Sequence, residues 1–283
     1  MKNCILAALA MLAVLPLASS CKGDKRTGES LLVMSYNVRN SHAKDGDNDW
    51  EHRKSATKAM LDAVNPDVFG VQEAYEDQVN YITESCPRYV SFGVGRDNGV
   101  DEGERMAIFY NTDVIEMIKG GTYWLSETPD EPSYGWDAAC RRTATWALLR
   151  DKDSDRFFYY VNTHLDHVGT AARRNGLALI VNKIGEMNEE GYPMVLTGDF
   201  NVTPDDSCLV DLDKIMKSAR IYAEQTTNKA SFNGWNPAEH NLVIDYIYYS
   251  NFTACKNFEV LDQSYDNIPF ISDHYPIVST LVY

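Results

Sequence analysis

Met194-Val195-Leu196-Thr197-Gly198-Asp199-Phe200-Asn201 is the stretch on which the fold turns: a short apolar run that meets a glycine and passes into an aspartate and an asparagine. Such a run is too short for a helix and reads as a buried strand, here Met194 to Thr197, whose end emerges at a polar rim. The pattern recurs along the chain. It is found at Ser35-Tyr36-Asn37 in a strand expected over Leu31 to Val38, and at Val71-Gln72-Glu73 closing a run that starts at Asp67. It returns at Asn162-Thr163-His164-Leu165-Asp166 after a strand expected over Phe157 to Thr163, and at Ser272-Asp273-His274. Ile244-Asp245-Tyr246 is a sixth candidate, inside a strand expected over Leu242 to Tyr249. One polar residue after a strand is ordinary loop. A whole set of them is informative, because strand ends in a layered sheet converge on one rim, where loops carry function on a rigid scaffold.

Between these runs lie two helical patterns. Ala56, Ala59, Met60, Ala63 and Val64 keep helical spacing within residues 50–64, and Asn65-Pro66 stops that helix. Leu177, Ile180, Val181, Ile184 and Met187 form a second helical face that ends near Gly191, and Ile277 to Tyr283 reads as a last strand. Short strands interleaved with helices that cover a sheet predict layered α/β architecture. No repeat or low-complexity linker divides residues 31–283, which read as one domain.

The chain has 283 residues, of which 44% are hydrophobic and 24% charged, enough to bury a large core. Its formal net charge is −15, and the first twenty residues contribute only Lys2 to that balance. Proteins that track long nucleic acid usually carry a basic stripe that releases condensed counterions, and no such Lys/Arg run is present here. A processive nuclease is therefore disfavoured.

Residues 1–20 read as a secretory signal: Lys2 precedes an apolar run from Ile5 to Leu17, shorter than a comfortable membrane span. The run ends in Leu17-Ala18-Ser19-Ser20-Cys21, which resembles a bacterial lipoprotein cleavage box with Cys21 as the acylated residue. Residues 21–30 then form a polar, lipidated tether. These features predict an extracytoplasmic protein anchored to the cell envelope through lipid alone. Cys86, Cys140, Cys208 and Cys255 match no metal motif by their spacing, and a fold of this size requires no disulfides.

Taken in order from Tyr36-Asn37 to Ser272-Asp273-His274, the polar strand ends resemble the endonuclease/exonuclease/phosphatase superfamily. That group includes pancreatic deoxyribonuclease, abasic-site endonucleases, neutral sphingomyelinases, inositol polyphosphate 5-phosphatases and messenger-RNA deadenylases. Segments Tyr123–Pro129, Gly135–Arg142 and Asn162–Gly169 further resemble a bacterial subgroup of it. The resemblance implies a four-layer α/β/β/α sandwich of the deoxyribonuclease I type. It also implies hydrolysis of a phosphodiester or phosphomonoester by an activated water.

The same resemblance implies roles for individual residues. Glu73 becomes the principal ligand of one Mg2+ or Mn2+ ion, since hard divalent cations prefer carboxylate oxygen. Asn37 stands beside it and Asp273 across the ion. Asp199 orients and helps deprotonate water, and Asn201 donates to a phosphate oxygen. Asp245 accepts from the second nitrogen of His274, fixing its tautomer. His164 resembles a second histidine that contacts the phosphate or protonates the leaving oxygen. One departure stands out: where abasic endonucleases supply an aspartate two residues after the asparagine, this chain has Arg39, which favours a single ion.

Arg141 and Arg142 are the candidates for a phosphate clamp, one of them pointing away. Trp124, Trp136 and Trp235 lie in loop-like sequence, where an aromatic either stacks on a sugar or base or closes the core beneath a loop. His42, His52, His167 and His240 read as structural, loop or solvated residues, and Asp45–Asp49 as an acidic turn. The leading expectation is a monomeric metal-dependent phosphoesterase for a phosphorylated small molecule or short oligonucleotide. The alternatives are a nuclease acting on DNA or RNA and a non-catalytic, lipid-anchored binding protein.

Overall fold

The computed structural model describes residues 28–283. The expected leader over 1–20 and its acceptor Cys21 lie outside the described residues. Two sheets carry the architecture. The first holds β1 (Ser30–Asn37), β2 (Val68–Gln72), β3 (Tyr89–Phe92), β4 (Ile108–Asn111), β10 (Gln225–Thr226), β12 (Ala254–Val260) and β13 (Ile277–Val282) in the order β10-β12-β13-β1-β2-β4-β3. The second holds β5 (Ile115–Trp124), β6 (Thr143–Asp151), β7 (Phe157–His164), β8 (Met194–Asp199), β9 (Lys217–Ser218) and β11 (Asp245–Ser250) in the order β5-β6-β7-β8-β11-β9. Both sheets mix parallel with antiparallel pairs: β1 runs parallel to β2 and β7 to β8, while β13 and β11 pair antiparallel to β1 and β8.

Period-2 alternation sorts each strand into two layers. Val33, Val68, Ile277, Leu281, Tyr160, Val195 and Ile247 meet between the sheets in the central core. Met34, Tyr36, Phe69, Val71 and Val278 face the other way, onto α1 (Trp50–Val64) and α2 (Glu76–Ser85), through Ala56, Met60, Leu61, Val79 and Ile82. Tyr159, Val161, Leu196, Tyr246 and Tyr248 pack beneath α3 (Thr170–Met187), through Leu177, Ile180 and Ile184. Helix, sheet, sheet and helix therefore stack as the four layers that the resemblance implies.

Boundaries differ from the sequence reading where tertiary contacts decide. The strand expected from Leu242 begins at Asp245; Leu242 instead bridges Phe232 in a separate loop pairing. Glu29 and Ser30, read as the end of the tether, belong to the domain, since Glu29 O accepts from Tyr283 N and β1 starts at Ser30. α1 ends as expected, with Asn65 in the left-handed region (φ +49°) ahead of Pro66.

A polar seam crosses the central core close to the rim. Asn162 Nδ2 donates to the carbonyls of Val71 (2.7 Å) and Ala107 (3.2 Å), and its Oδ1 accepts from Gln72 Nε2 (2.7 Å). This brings the ends of β2 and β7 together. Gly70 is required here, because a Cβ would stand 2.3 Å from Asn162 Oδ1 and 2.6 Å from Thr197 Oγ1.

Candidate active site

The rim is formed by the carboxyl ends of β1, β2, β7 and β8 and by the residues that lead into β11 and β13. Register aligns them: Asn37 pairs with Gln72, His164 with Asp199, and Asp199 with Asp245. At three exits the chain turns through the left-handed region on a residue that is not glycine: Arg39 (φ +52°), Glu73 (φ +64°) and Asn201 (φ +53°). That conformation is sterically costly for such residues and is retained where the surrounding structure over-determines it. Here backbone and side-chain bonds do so: Arg39 N donates to Asn37 Oδ1 (3.0 Å), Asn40 N to Glu73 Oε2 (3.2 Å), and Asn201 N to Asp199 Oδ1 (2.9 Å).

Asn37 is the hub. Its Nδ2 donates to Glu73 Oε1 and to Asp199 Oδ2, each at 3.0 Å, so both amide hydrogens are used. Asp245 Oδ2 lies 2.8 Å from His274 Nδ1, while His274 Nε2 stands 3.6 Å from Asp199 Oδ2. The imidazole thus sits between two carboxylates, and the edge of Phe232 packs on it with ring centroids 4.9 Å apart.

The charges follow from burial and neighbours. Burial alone would lower the His274 pKa, but Asp245 and Asp199 outweigh it and raise it to about 10, so the ring is an imidazolium at neutral pH. Asp199 is pushed up to about 7, first by burial and then by the negative charge of Asp245. Burial also raises Asp273, whereas Glu73 is held below its ordinary value because the Asn37 and Asn40 hydrogen bonds, His274 and Arg39 overcome its burial. For His164, burial and the cations Arg142, Arg96 and His274 act together and drive its pKa well down, leaving a neutral ring.

Two expected roles do not fit this arrangement. Asn201 Nδ2 donates to Leu165 O and to His164 Nε2, both at 3.0 Å, so neither amide hydrogen is left for a phosphate oxygen. The carbonyl at Leu165 fixes which end of the amide is the donor, and Nε2 of His164 is therefore an acceptor whose ring carries its proton on Nδ1. A neutral His164 engaged in this way positions Asn201 and, through its backbone N–H, Asp199. It is not arranged as a proton donor.

The donor set suits a hard divalent cation. Glu73 Oε1 accepts one hydrogen bond and keeps a lone pair, Asn37 Oδ1 does likewise, and Asp273 Oδ2 accepts no hydrogen bond among the described residues and has the Arg39 guanidinium at 3.7 Å. Asp199, Asp245 and His274 also bring ligand atoms within 4.8 Å of one another and could hold an ion. In that group, however, the imidazole already separates the two carboxylates and each ring nitrogen faces one of them. Arg39 is locked by Asp45 through bonds of 2.8 and 3.0 Å and lies 4.0 Å from Glu73 Oε2, a fixed positive charge at the edge of the carboxylate cluster.

Arg39, Glu73, Asp199, Asp273 and His274 line a cavity of about 450 Å³, and Asn37 and Asp245 are hydrogen-bonded to them without lining it. Of the two arginines, Arg142 lines it, buried and held by Asp166 Oδ2 (3.2 Å) and His167 Nδ1 (2.9 Å). Arg141 points away, over the Tyr134 ring and toward Asp97. His167, read as a loop residue, also lines the cavity. Trp124 does not: it is 6% exposed, and its indole N–H donates to Arg96 O (2.7 Å). Trp136 is half-buried outside the cavity, with φ +50° and its backbone N–H on Glu127. Trp235 covers Arg53 at 5.6 Å, and so closes the core beneath its loop. The sequence reading missed Arg96 and Glu104, which enter the cavity from a glycine-rich loop without periodicity, and Phe232. Only a map of which loops share the rim could have found them.

A model of the Endonuclease/Exonuclease/phosphatase family matches residues 34–274. A mannosyl-6-phosphatase of Bacteroides thetaiotaomicron is 34% identical and superposes with a TM-score of 0.86, covering 89% of this chain and 100% of that one. An endonuclease/exonuclease/phosphatase from Bacteroides vulgatus is 35% identical with a TM-score of 0.83, over 89% of this chain and 98% of the other. An uncharacterized protein of Acanthamoeba polyphaga mimivirus is 26% identical over 251 residues, 81% of this chain and 91% of its own.

Proposed function

The chain belongs to the endonuclease/exonuclease/phosphatase family, and from that premise we propose that it is a divalent-metal-dependent phosphoesterase that hydrolyses a small phosphorylated substrate. The observation that carries this reading is the convergence of Glu73, Asp199, Asp273 and His274 from separate strand ends on one cavity, with Asn37 hydrogen-bonded to two of them. A cavity of about 450 Å³ matches the size of a small-molecule site, and the acidic chain offers no basic track to a polyanion.

Glu73, Asp273 and Asn37 would hold one Mg2+ or Mn2+ ion, which when bound polarises a phosphoryl oxygen and lowers the pKa of water. Arg39 stands where the resemblance would call for an aspartate to hold a second ion, and it lies 4.0 Å from Glu73 Oε2 and 3.7 Å from Asp273 Oδ2. Asp199, with a proton affinity near neutrality, accepts a proton from the attacking water. Its carboxylate is aimed by Asn37 and by the backbone N–H of Asn201. His274, held charged and oriented by Asp245, stabilises the negative charge that develops on the phosphoryl oxygens. Arg142, fixed by Asp166, is the candidate to clamp the phosphate.

A panel of phosphate esters assayed with Mg2+, with and without chelator, tests the reading beside Glu73→Ala and His274→Ala. Both variants should lose at least about tenfold in kcat/KM. Turnover that survives chelation would remove the metal, and wild-type inertness on every ester would remove the enzyme. Cleavage of DNA or RNA falling steeply with salt would favour a nuclease instead. We also propose that the enzyme is anchored at the cell envelope through Cys21, supported by the apolar run from Ile5 to Leu17. Fatty-acid labelling that persists in Cys21→Ser would overturn this.

A further inference from the structure

Beside the reacting groups the cavity has a second polar feature that the mechanism does not use. Arg96 and Glu104 both line it, are 9% and 8% exposed, and pair through Arg96 Nη1 and Glu104 Oε2 at 2.6 Å. Their loop is docked next to the catalytic rim, because Arg105 N donates to the carbonyl of Ala74, the residue after Glu73, at 2.7 Å.

The pair is incompletely satisfied. Among the described residues neither Glu104 Oε1 nor Arg96 Nη2 has a hydrogen-bond partner, and Arg96 Nε is buried without one. Nor does the loop need the ion pair to close. Arg96 N donates to Glu104 O and Asp97 N to Glu102 O, each at 3.0 Å, and the Trp124 indole clamps Arg96 O. A buried ion pair is in any case a weak stabiliser, since desolvation offsets most of its attraction. What the pair does leave for a ligand is one acceptor, Glu104 Oε1, beside one donor, Arg96 Nη2, the complement of two adjacent hydroxyl groups, one donating and one accepting. Phe232, Leu242 and Ile244 add an apolar wall to the same cavity. A saturated ring with hydroxyls on its edge and C–H groups on its face matches both surfaces.

Resting on the phosphoesterase reading for its phosphate, we infer that Arg96 and Glu104 form a specificity subsite that reads vicinal hydroxyls of a sugar-like ring, so that the substrate is a phosphomonoester of a cyclic polyol such as a hexose 6-phosphate. Selectivity then comes from two charge-assisted hydrogen bonds that a simple alkyl phosphate cannot make.

Equilibrium binding measured by calorimetry in chelator, where turnover does not intervene, tests the subsite. The probes are mannose 6-phosphate and ethyl phosphate, with wild type, Glu104→Gln and the charge-neutral double variant Arg96→Met/Glu104→Gln, each checked for folding by its unfolding midpoint. Wild type should prefer mannose 6-phosphate by at least about tenfold, and both variants should reduce that ratio to about threefold or less. A wild-type ratio below threefold, or an unchanged ratio in the folded double variant, would overturn the subsite. Turnover with Mg2+ is scored separately: a preserved ratio without hydrolysis would leave the subsite standing and reject the catalytic reading.

Discussion

Replacing Arg53 with methionine should loosen the metal side of the rim from behind. Arg53 is 1% exposed and has no carboxylate partner among the described residues; its guanidinium instead donates to four carbonyl oxygens, of Asn48 (2.9 Å), Val38 (2.5 Å), Ile271 (2.9 Å) and Arg39 (2.6 Å). Val38 and Arg39 directly follow Asn37, and Ile271 lies two residues before Asp273, so one side chain ties the exit of β1 to the approach to β13. Trp50 and Trp235 cover the cation at 5.2 and 5.6 Å. Hydrogen bonds from a charged donor contribute roughly 1.5–3 kcal/mol each, or about 6–12 kcal/mol for four. Burying the charge costs several kcal/mol of that, the same burial that lowers the Arg53 pKa. The remainder, about 3–5 kcal/mol, is a large part of the roughly 5–15 kcal/mol that holds a domain folded. In urea the Arg53→Met midpoint should fall by about 1–2 M if m is about 3 kcal/mol/M. Mg2+ affinity, read by calorimetry, should fall with it. Arg53→Lys should lie between, because a compact ammonium with three donors cannot span acceptors set for a planar fork. A methionine variant within about 1 kcal/mol of wild type, with unaltered Mg2+ affinity, would refute the reasoning.

Asp245→Asn should lower kcat by roughly 10²- to 10⁴-fold, since it removes the anion that keeps His274 charged and oriented. Because Asp245 raises the His274 pKa, its removal should also move the alkaline limb of the kcat profile to lower pH; an unmoved limb would mean that His274 is not the group titrating. Asp166 is pushed down to about 2: burial opposes its charge, but the backbone N–H groups of Gly169, Val168 and Ala139 and the Arg142 cation prevail. A depressed carboxylate stabilises the fold above its unfolded pKa of about 4 and loses that contribution as pH falls through the folded value. Acid unfolding should therefore be shallower over that interval in Asp166→Asn than in wild type, and the variant should also raise KM by freeing Arg142. Superimposable acid titrations would count against this.

How far the site was legible depended on how local its signal was. Asn37, Glu73, Asp199 and Asp273 each follow an apolar strand in the sequence, and strand exits on one side of a sheet can only meet on one rim. The pair Arg141 and Arg142 shows the limit. Adjacent residues in extended backbone point to opposite faces, so one of them had to face away, but only Asp166, 24 residues beyond Arg142, decides which. Trp124 shows it again: read as loop, it is the last residue of β5, and nothing in its flanks signalled that the indole would be spent on Arg96 O. The ion pair of Arg96 and Glu104 left no periodic trace, because a loop's side chains follow the bonds that close it.

The sequence by itself determined the layered α/β class, the end points of α1 and the set of polar strand exits, since these rest on residue spacing and on local turn chemistry. Tertiary structure alone decided which donors remain free. The engagement of Asn201 with His164 and Leu165, the charge on His274 and the opening of Glu104 toward the cavity all depend on distances between segments remote in the chain. Hydrogen-bonding capacity is a property of a residue, but whether that capacity is already filled is a property of its neighbours in space.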